Sequence, residues 1–393
     1  MTAAGRQVQS RWRPPWRRND DSCYGDSTVL FELSAAALPR EPWTTRGFTW
    51  LARAIDGTIV EAMRLVVDRA LLPPADQVPR MRAAAAPYAT DELAADPARF
   101  FAFPEATLAP LSVTTRRRRR LIGGAVERHR LGAALTPWAE PSGDSQDDEV
   151  RIEHWAHTAR PPRAVVLAMH GFAMGTPVID AIALFAATWY RQGYDVALLT
   201  LPHHGRRAAP GARFSGDRFA SPDPGELNEA VRRAVYEVFV AMRWLRSCTG
   251  APVGLLGLSL GGYLSALAAG LTDEPAFVVP MVPPVCFGDL AWRFFERSHA
   301  NRGGATPAMS RDEFRQAFRV HSPLSHPLRV PRDRVLIVAG RGDRIVPPEH
   351  PQALWRHWGE PRIHWFSGGH VTPFGRGGIA RAVERHLARL GLA

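Results

Sequence analysis

Lysine is absent from the 393 residues; all 49 basic side chains are arginine. A residue type missing from a whole chain points to GC-rich coding and not to function. Cysteine is nearly absent as well, with Cys23, Cys248 and Cys286 odd in number and far apart. That excludes a disulfide framework and a cysteine zinc site, and a reducing, cytoplasmic setting is the default expectation. No stretch of ~18 apolar residues runs without a charge or a turn-former, so no membrane-spanning helix is expected. The opening MTAAGRQVQSRWRPPWRRND lacks the apolar run of a secretory signal. No internal repeat is visible.

What is present is ordinary globular composition. Apolar residues make up 46% and charged residues 22%, which excludes a disordered or fibrous chain. At ~150 residues per domain the length suggests two or three units, or one large domain with an extension. The net charge, 49 − 38 = +11, is uneven: residues 1–150 hold 20 Arg and 19 acids, residues 151–393 hold 29 Arg and 19 acids. Such a surplus attracts anionic partners. The densest run, Arg116 to Arg120, could bind phosphate, but reads more readily as a solvated face or loop. No nucleic-acid motif accompanies it, and no nucleic-acid partner is expected.

Residues 1–30 are polar and expected to be poorly ordered. Ile55, Ile59, Met63 and Val66 recur at helical spacing between Phe48 and Leu72, with Arg53, Asp56, Arg64 and Asp68 between them. The mixed charge fits a helix packed on the protein better than one lying on a membrane. Asp91–Phe101 reads as another short helix, and residues 136–149 read as a loop. The main boundary is placed at about residue 145, separating a mainly helical N-terminal extension (1–145) from a second domain (146–393).

Beyond that boundary, short apolar runs alternate with helical stretches. The strand candidates are Val150–Ala156, Ala164–Met169, Val196–Thr200, Val253–Gly257, Phe277–Val282, Val335–Ala339 and Ile363–Phe366. Several are apolar throughout, as strands buried on both faces are. One helix, Glu226–Arg246, shows Val231, Val235, Val238, Met242 and Leu245 on one face. This alternation predicts an α/β fold with a mostly parallel, doubly wound sheet.

The sharpest local signal is Gly257-Leu258-Ser259-Leu260-Gly261, a Gly-x-Ser-x-Gly match between a strand and a helix. Such a turn is tight and strained at the serine, and the helix N-terminus offers free N–H groups to an oxyanion. Residues ~150–393 resemble α/β-hydrolase fold serine hydrolases of the esterase and lipase kind. The family's chain order is Ser, then Asp or Glu, then His. Asp343, in the loop after Val335–Ala339 and before Ile345-Val346-Pro347, matches the family's acid. His370, in Gly368-Gly369-His370 after the last strand, matches its histidine. A serine hydroxyl needs such a base, and the base an orienting acid.

The resemblance also implies an oxyanion hole built from the backbone N–H groups of Leu260 and of Phe172, the latter in the His170-Gly171-Phe172 tract. Leu201-Pro202-His203-His204-Gly205-Arg206-Arg207 departs from the family's usual tract at that place. His170, His203, His204 and Arg206 are taken as substrate-contact candidates, with His170 as a loop-shaping residue the other reading. The three histidines lack the spacing and carboxylates of a zinc site, so no metal and no cofactor is expected. Residues of about 283–330 match the family's cap insertion. Phe287, Trp292, Phe294, Phe295, Phe314 and Phe318 there suit either an apolar substrate or a glued cap.

The resemblance thus implies hydrolysis of a carboxylic ester, a small molecule or a lipid-like one, through an acyl-enzyme. An acyltransferase, amidase or peptidase would use the same residues. The fold also permits a non-catalytic binding protein, or a protein whose main role is peripheral membrane contact.

Overall fold

The computed structural model describes residues 33, 38–139, 148–221, 223–299, 307, 309–372 and 376–393. The chain divides into Met1–Ser34 and a compact unit, Ala35–Ala393, which carries the sheet and its helices. The segment expected to be poorly ordered (1–30) and the boundary at about 145 lie outside the described residues.

The N-terminal part opens with helices α1 (Arg46–Leu71), α2 (Val78–Ala85) and α3 (Asp91–Ala95). The helix expected from Phe48 is therefore present, but its buried face differs. Ala52, Asp56 and Val60 are buried at i, i+4 and i+8, whereas Ile55 is 37% exposed; the side chains of Met63 and Val66 lie outside the described set. Strands β1 (Ser112–Leu121) and β2 (Gly124–Gly132) then form a hairpin. The extension is therefore not only helical: Arg116–Arg120 form an exposed edge strand, whose charge and a bulge between Arg117 and Arg119 discourage edge-to-edge pairing.

The remaining strands are β3 (Glu149–His157), β4 (Val165–Met169), β5 (Asp195–Thr200), β6 (Val253–Leu258), β7 (Val278–Met281), β8 (Leu336–Gly340) and β9 (Arg362–Phe366). All seven strand candidates correspond to one of these. They join β1 and β2 in one nine-stranded sheet ordered β1-β2-β3-β5-β4-β6-β7-β8-β9. The first three strands and the β3–β5 pair are antiparallel; β5 through β9 are parallel. Strands β4 and β8 are buried along their whole length, as a sheet covered on both faces requires.

Helices α4 (Pro177–Ala183), α5 (Ala186–Arg191), α6 (Pro224–Thr249), α7 (Leu260–Leu271), α8 (Phe287–His299), α9 (Arg311–Arg319), α10 (Glu349–His357) and α11 (Arg376–Arg389) complete the fold. Helix α6 starts at an Asp223 cap that accepts the amides of Gly225 and Glu226, with Pro224 in the first turn. It ends at Gly250 in the left-handed conformation. The N-terminal part is tied to α6 by directed bonds: Arg232 donates to the carbonyls of Phe100 (2.7 Å) and Thr136 (2.8 Å), and the Tyr236 hydroxyl donates to that of Thr107 (2.6 Å).

Helices α8 and α9 form the insertion between β7 and β8, where a cap was expected. Arg311 and Arg315 converge on the buried Asp289 at 2.9 and 2.8 Å. Phe294, Phe295, Phe314 and Phe318 are buried, and Phe287 stacks on Tyr263 with ring centroids 4.3 Å apart. These aromatics hold the insertion to the body. Among the described residues no helix is long and apolar enough to cross a membrane.

Candidate active site

Strand β6 delivers Ser259 at its carboxyl end, immediately before α7. The serine adopts φ 54° and ψ −109°, a costly conformation for a residue with a Cβ. The backbone around it is packed closely at the two flanking glycines. A Cβ on Gly257 would lie 2.0 Å from the carbonyl oxygen of Gly261, and one on Gly261 would lie 2.2 Å from that of Met169. Two backbone bonds fix the turn: the Ser259 amide donates to Met281 (2.9 Å) and the Gly261 amide to His170 (3.0 Å).

Strands β8 and β9 bring the other two predicted residues to the same place. The Ser259 hydroxyl lies 2.8 Å from Nε2 of His370, and Nδ1 of His370 lies 2.7 Å from Oδ2 of Asp343. Both bonds are within the reach required for proton transfer. Asp343 also accepts the amides of Ile345 (3.0 Å) and Val346 (2.7 Å) on Oδ1. Burial raises the Asp343 carboxyl above its ordinary range, offset in part by the neighbouring imidazole. Burial alone would pull His370 down. The Asp343 charge and hydrogen bond, with the nearby Asp56 carboxylate, outweigh it and hold His370 above the usual histidine value.

The loop after β4 passes beside the nucleophile, where a Cβ on Gly171 would stand 3.4 Å from that of Ser259. Among the described residues, neither the Phe172 nor the Leu260 amide is spent on a backbone carbonyl. That leaves the Leu260 amide, in the first turn of α7, and the Phe172 amide, in the loop after β4, without a backbone acceptor. The loop is pinned at its far end, where Asp180 accepts the Gly175 amide at 3.2 Å.

The histidines and arginine expected to touch substrate do not line this site. His170 is buried; its Nδ1–H faces the Gly171 carbonyl at 2.8 Å and its Nε2 accepts the Leu201 amide at 3.1 Å. It shapes the loop, and burial lowers it to about 3, so it stays neutral. His204 is wholly buried, bonded to the Pro202 carbonyl, and lowered to about 4, chiefly by burial. His203 is lowered to about 3 by burial and by Arg207. Arg206 is exposed on the surface turn, whereas Arg207 is buried against Glu237. Among the described residues no cluster of His, Cys, Asp or Glu could hold a metal ion.

A cavity of about 290 Å³ opens at Ser259 and His370. Phe172, Met174, Phe185, Leu258, Met281 and Ile379 give it apolar walls.

Sequence reasoning missed one residue at this site. Asp56 of α1 is wholly buried and accepts backbone amides from the histidine and acid loops. Its spacing places it with Arg53 and Asp68 on a polar face, and nothing local separates it from an ordinary surface acid.

No protein-family model matches the sequence. An uncharacterized protein of Mycobacterium tuberculosis, recorded in two strains, is 33% identical over 238 residues, covering 59% of this chain and 55% of the relative. The chain thus spans about half the length of the curated relatives it matches. Among solved structures, acetyl xylan esterase 1 from a Thermoanaerobacterium species superposes with a TM-score of 0.54 at 14% identity, covering 76% of this chain and 93% of that one. An acetyl xylan esterase from a Paenibacillus species gives 0.51 at 15% identity, covering 74% and 94%. With its sheet order and its serine at the β6–α7 turn, this chain has an α/β-hydrolase fold.

Proposed function

We propose that this protein is a serine hydrolase that cleaves a carboxylic ester through an acyl-enzyme. The observation that carries the reading is the continuous chain of contacts from Ser259 through His370 to Asp343. Ser259 Oγ attacks the carbonyl carbon while His370 Nε2 takes its proton. The developing oxyanion is held by the Leu260 and Phe172 amides. The intermediate collapses, the C–O bond to the alcohol breaks, and His370 returns the proton to the departing oxygen. Water then attacks the acyl-serine with His370 again as base, which releases the acid and restores Ser259. Asp343 fixes the imidazole and favours its charged form.

The cavity supports an acyl group that is compact and apolar. Its volume of about 290 Å³ sits at the small end of ligand sites, and the fold neighbours' names, acetyl xylan esterases, agree with an ester as the bond class. The aromatic side chains of the insertion do not line this cavity, which weakens the lipid-like reading.

The test is a fluorescent phosphonate that reacts with activated serines, applied to the protein and to Ser259→Ala, followed by esters of graded acyl length. The reading requires labelling of the unmodified protein alone and turnover that falls as the acyl chain lengthens. Labelling of neither protein rejects it, and equal labelling of both puts the nucleophile elsewhere.

A further inference from the structure

Helix α1 lies outside the strand–helix unit that carries Ser259, Asp343 and His370, yet it reaches into their loops. Asp56 accepts the His370 amide on Oδ2 at 2.6 Å and the Arg344 amide on the same oxygen at 3.2 Å. Its Oδ1 receives the Val371 amide at 3.4 Å. One carboxylate thus grips the residue after the acid and the backbone of the histidine itself, two loops separated in sequence by α10 and β9. The fit is close: a Cβ on Gly369 would fall 2.5 Å from Asp56 Oδ2. Two turns earlier on α1, the Thr49 hydroxyl lies 3.3 Å from the Ser367 carbonyl, and a Cβ on Gly342 would meet the Thr49 carbonyl at 2.8 Å. A buried carboxylate is costly unless it is fully bonded. Here the bonds that satisfy it belong to the two loops that set the geometry of the proton relay.

We infer that Asp56 is a positioning residue for the reaction: a carboxylate supplied by the N-terminal helix that joins the acid loop to the histidine loop and holds the His370 imidazole between Ser259 and Asp343. This rests on the hydrolase reading. Asp56 touches neither substrate nor reacting atoms and acts through His370. It also places a second negative charge near the imidazole, beside that of Asp343. The charged groups near this junction are Arg53, Arg293, Arg341, Arg344 and Glu349, which line one cavity with Asp343; the Arg344 guanidinium approaches α1 near Gly57.

The test compares the full chain with Asp56→Asn and Asp56→Glu, using an activated short-chain ester, with rates expressed per phosphonate-reactive site. Asn keeps the volume but presents an NH2 group to amide donors and removes the charge. It should lower kcat by at least tenfold with KM changed less than threefold. The acid limb of kcat/KM should move down by roughly half to one pH unit, because a negative charge favouring the imidazolium is gone. Glu keeps the charge, so its acid limb should stay where it is in the unmodified protein even if its kcat falls.

A merely structural carboxylate would change the melting temperature and the number of reactive sites without moving the limb. An unchanged kcat and acid limb in a folded Asp56→Asn overturns the inference, as does failure of both variants to fold, which would make Asp56 a determinant of folding. If neither the unmodified protein nor Ser259→Ala labels, it is the hydrolase reading that falls, and if Ser259→Ala still labels and turns over ester, the nucleophile lies elsewhere, whatever Asp56 does.

Discussion

Asp343 divides its carboxylate between two tasks: Oδ2 meets Nδ1 of His370 at 2.7 Å, while Oδ1 is held by the amides of Ile345 and Val346. The second set of bonds fixes the rotamer, so the first can fix the imidazole tautomer with its proton on Nδ1. Asp343→Asn keeps the shape but lets a side-chain NH2 face Nδ1, which favours the tautomer with its proton on Nε2. That form cannot accept the Ser259 proton. The expected loss is about 10⁴-fold in kcat, with the fold retained. Steady-state kinetics with a short-chain ester checks this; a loss below tenfold would show that Asp343 does not set the tautomer.

The pH dependence follows from the direction of the His370 shift. Only the neutral imidazole accepts the serine proton, and His370 is held above its ordinary value of 6.5. Activity should therefore fall as the pH drops through a value above 6.5, and not below it. Measuring kcat/KM against pH with an uncharged ester reads the free-enzyme value. An acid limb centred below 6.5 would mean that burial outweighs the two carboxylates.

The parallel sheet was legible because its strands are buried on both faces and so appear as short apolar runs. Val165–Met169 and Leu336–Gly340 stand out on residue type alone. The Ser259 turn was legible because its glycines are forced by contact. Strand β1 was not, since Arg116–Arg120 is exposed along its length and carries no alternation of apolar and polar residues to mark a strand. Asp56 was hidden for the opposite reason. Its helix has a clear apolar period at Ile55 and Ile59, but the face it buries is the one with Ala52, Asp56 and Val60, because the groups waiting there are backbone amides. Arg206 and Arg207 illustrate the same limit: adjacent and alike in sequence, one ends in solvent and the other in a buried ion pair.

That ion pair carries a stability prediction. Glu237 is wholly buried and accepts Arg207 through both oxygens, at 2.5 and 2.7 Å, and Arg233 at 2.7 Å. Removing the carboxylate takes the shared counter-charge from Arg207 and Arg233, of which Arg233 keeps Asp148 at 3.0 Å. Glu237→Gln should cost about 3–5 kcal/mol of unfolding free energy, since breaking a buried pair strands the remaining charge. Urea unfolding at neutral pH measures it. A loss under about 1 kcal/mol would show that water or the Thr200 carbonyl, which also accepts from Arg207 at 2.9 Å, compensates.

Buried histidines should make the protein acid-sensitive well above the carboxylate range. Burial lowers His170 and His321 to about 3, and His204, His326 and His350 to about 4. In the unfolded chain each titrates near 6.5. Between those values the unfolded state binds more protons, so stability is complete above about 6.5 and declines as the pH falls toward 4. Each histidine contributes up to roughly 1.4 kcal/mol per pH unit within that window. His321 offers a clean probe, because its Nδ1 meets the Tyr263 hydroxyl at 2.5 Å and it does not line the cavity at Ser259. His321→Asn removes one titrating group, and the slope of unfolding free energy against pH near 5 should become shallower by about one proton's worth. Urea unfolding at a series of pH values between about 7.5 and 4.5 gives both slopes. Equal slopes would mean that His321 is already protonated in the folded protein.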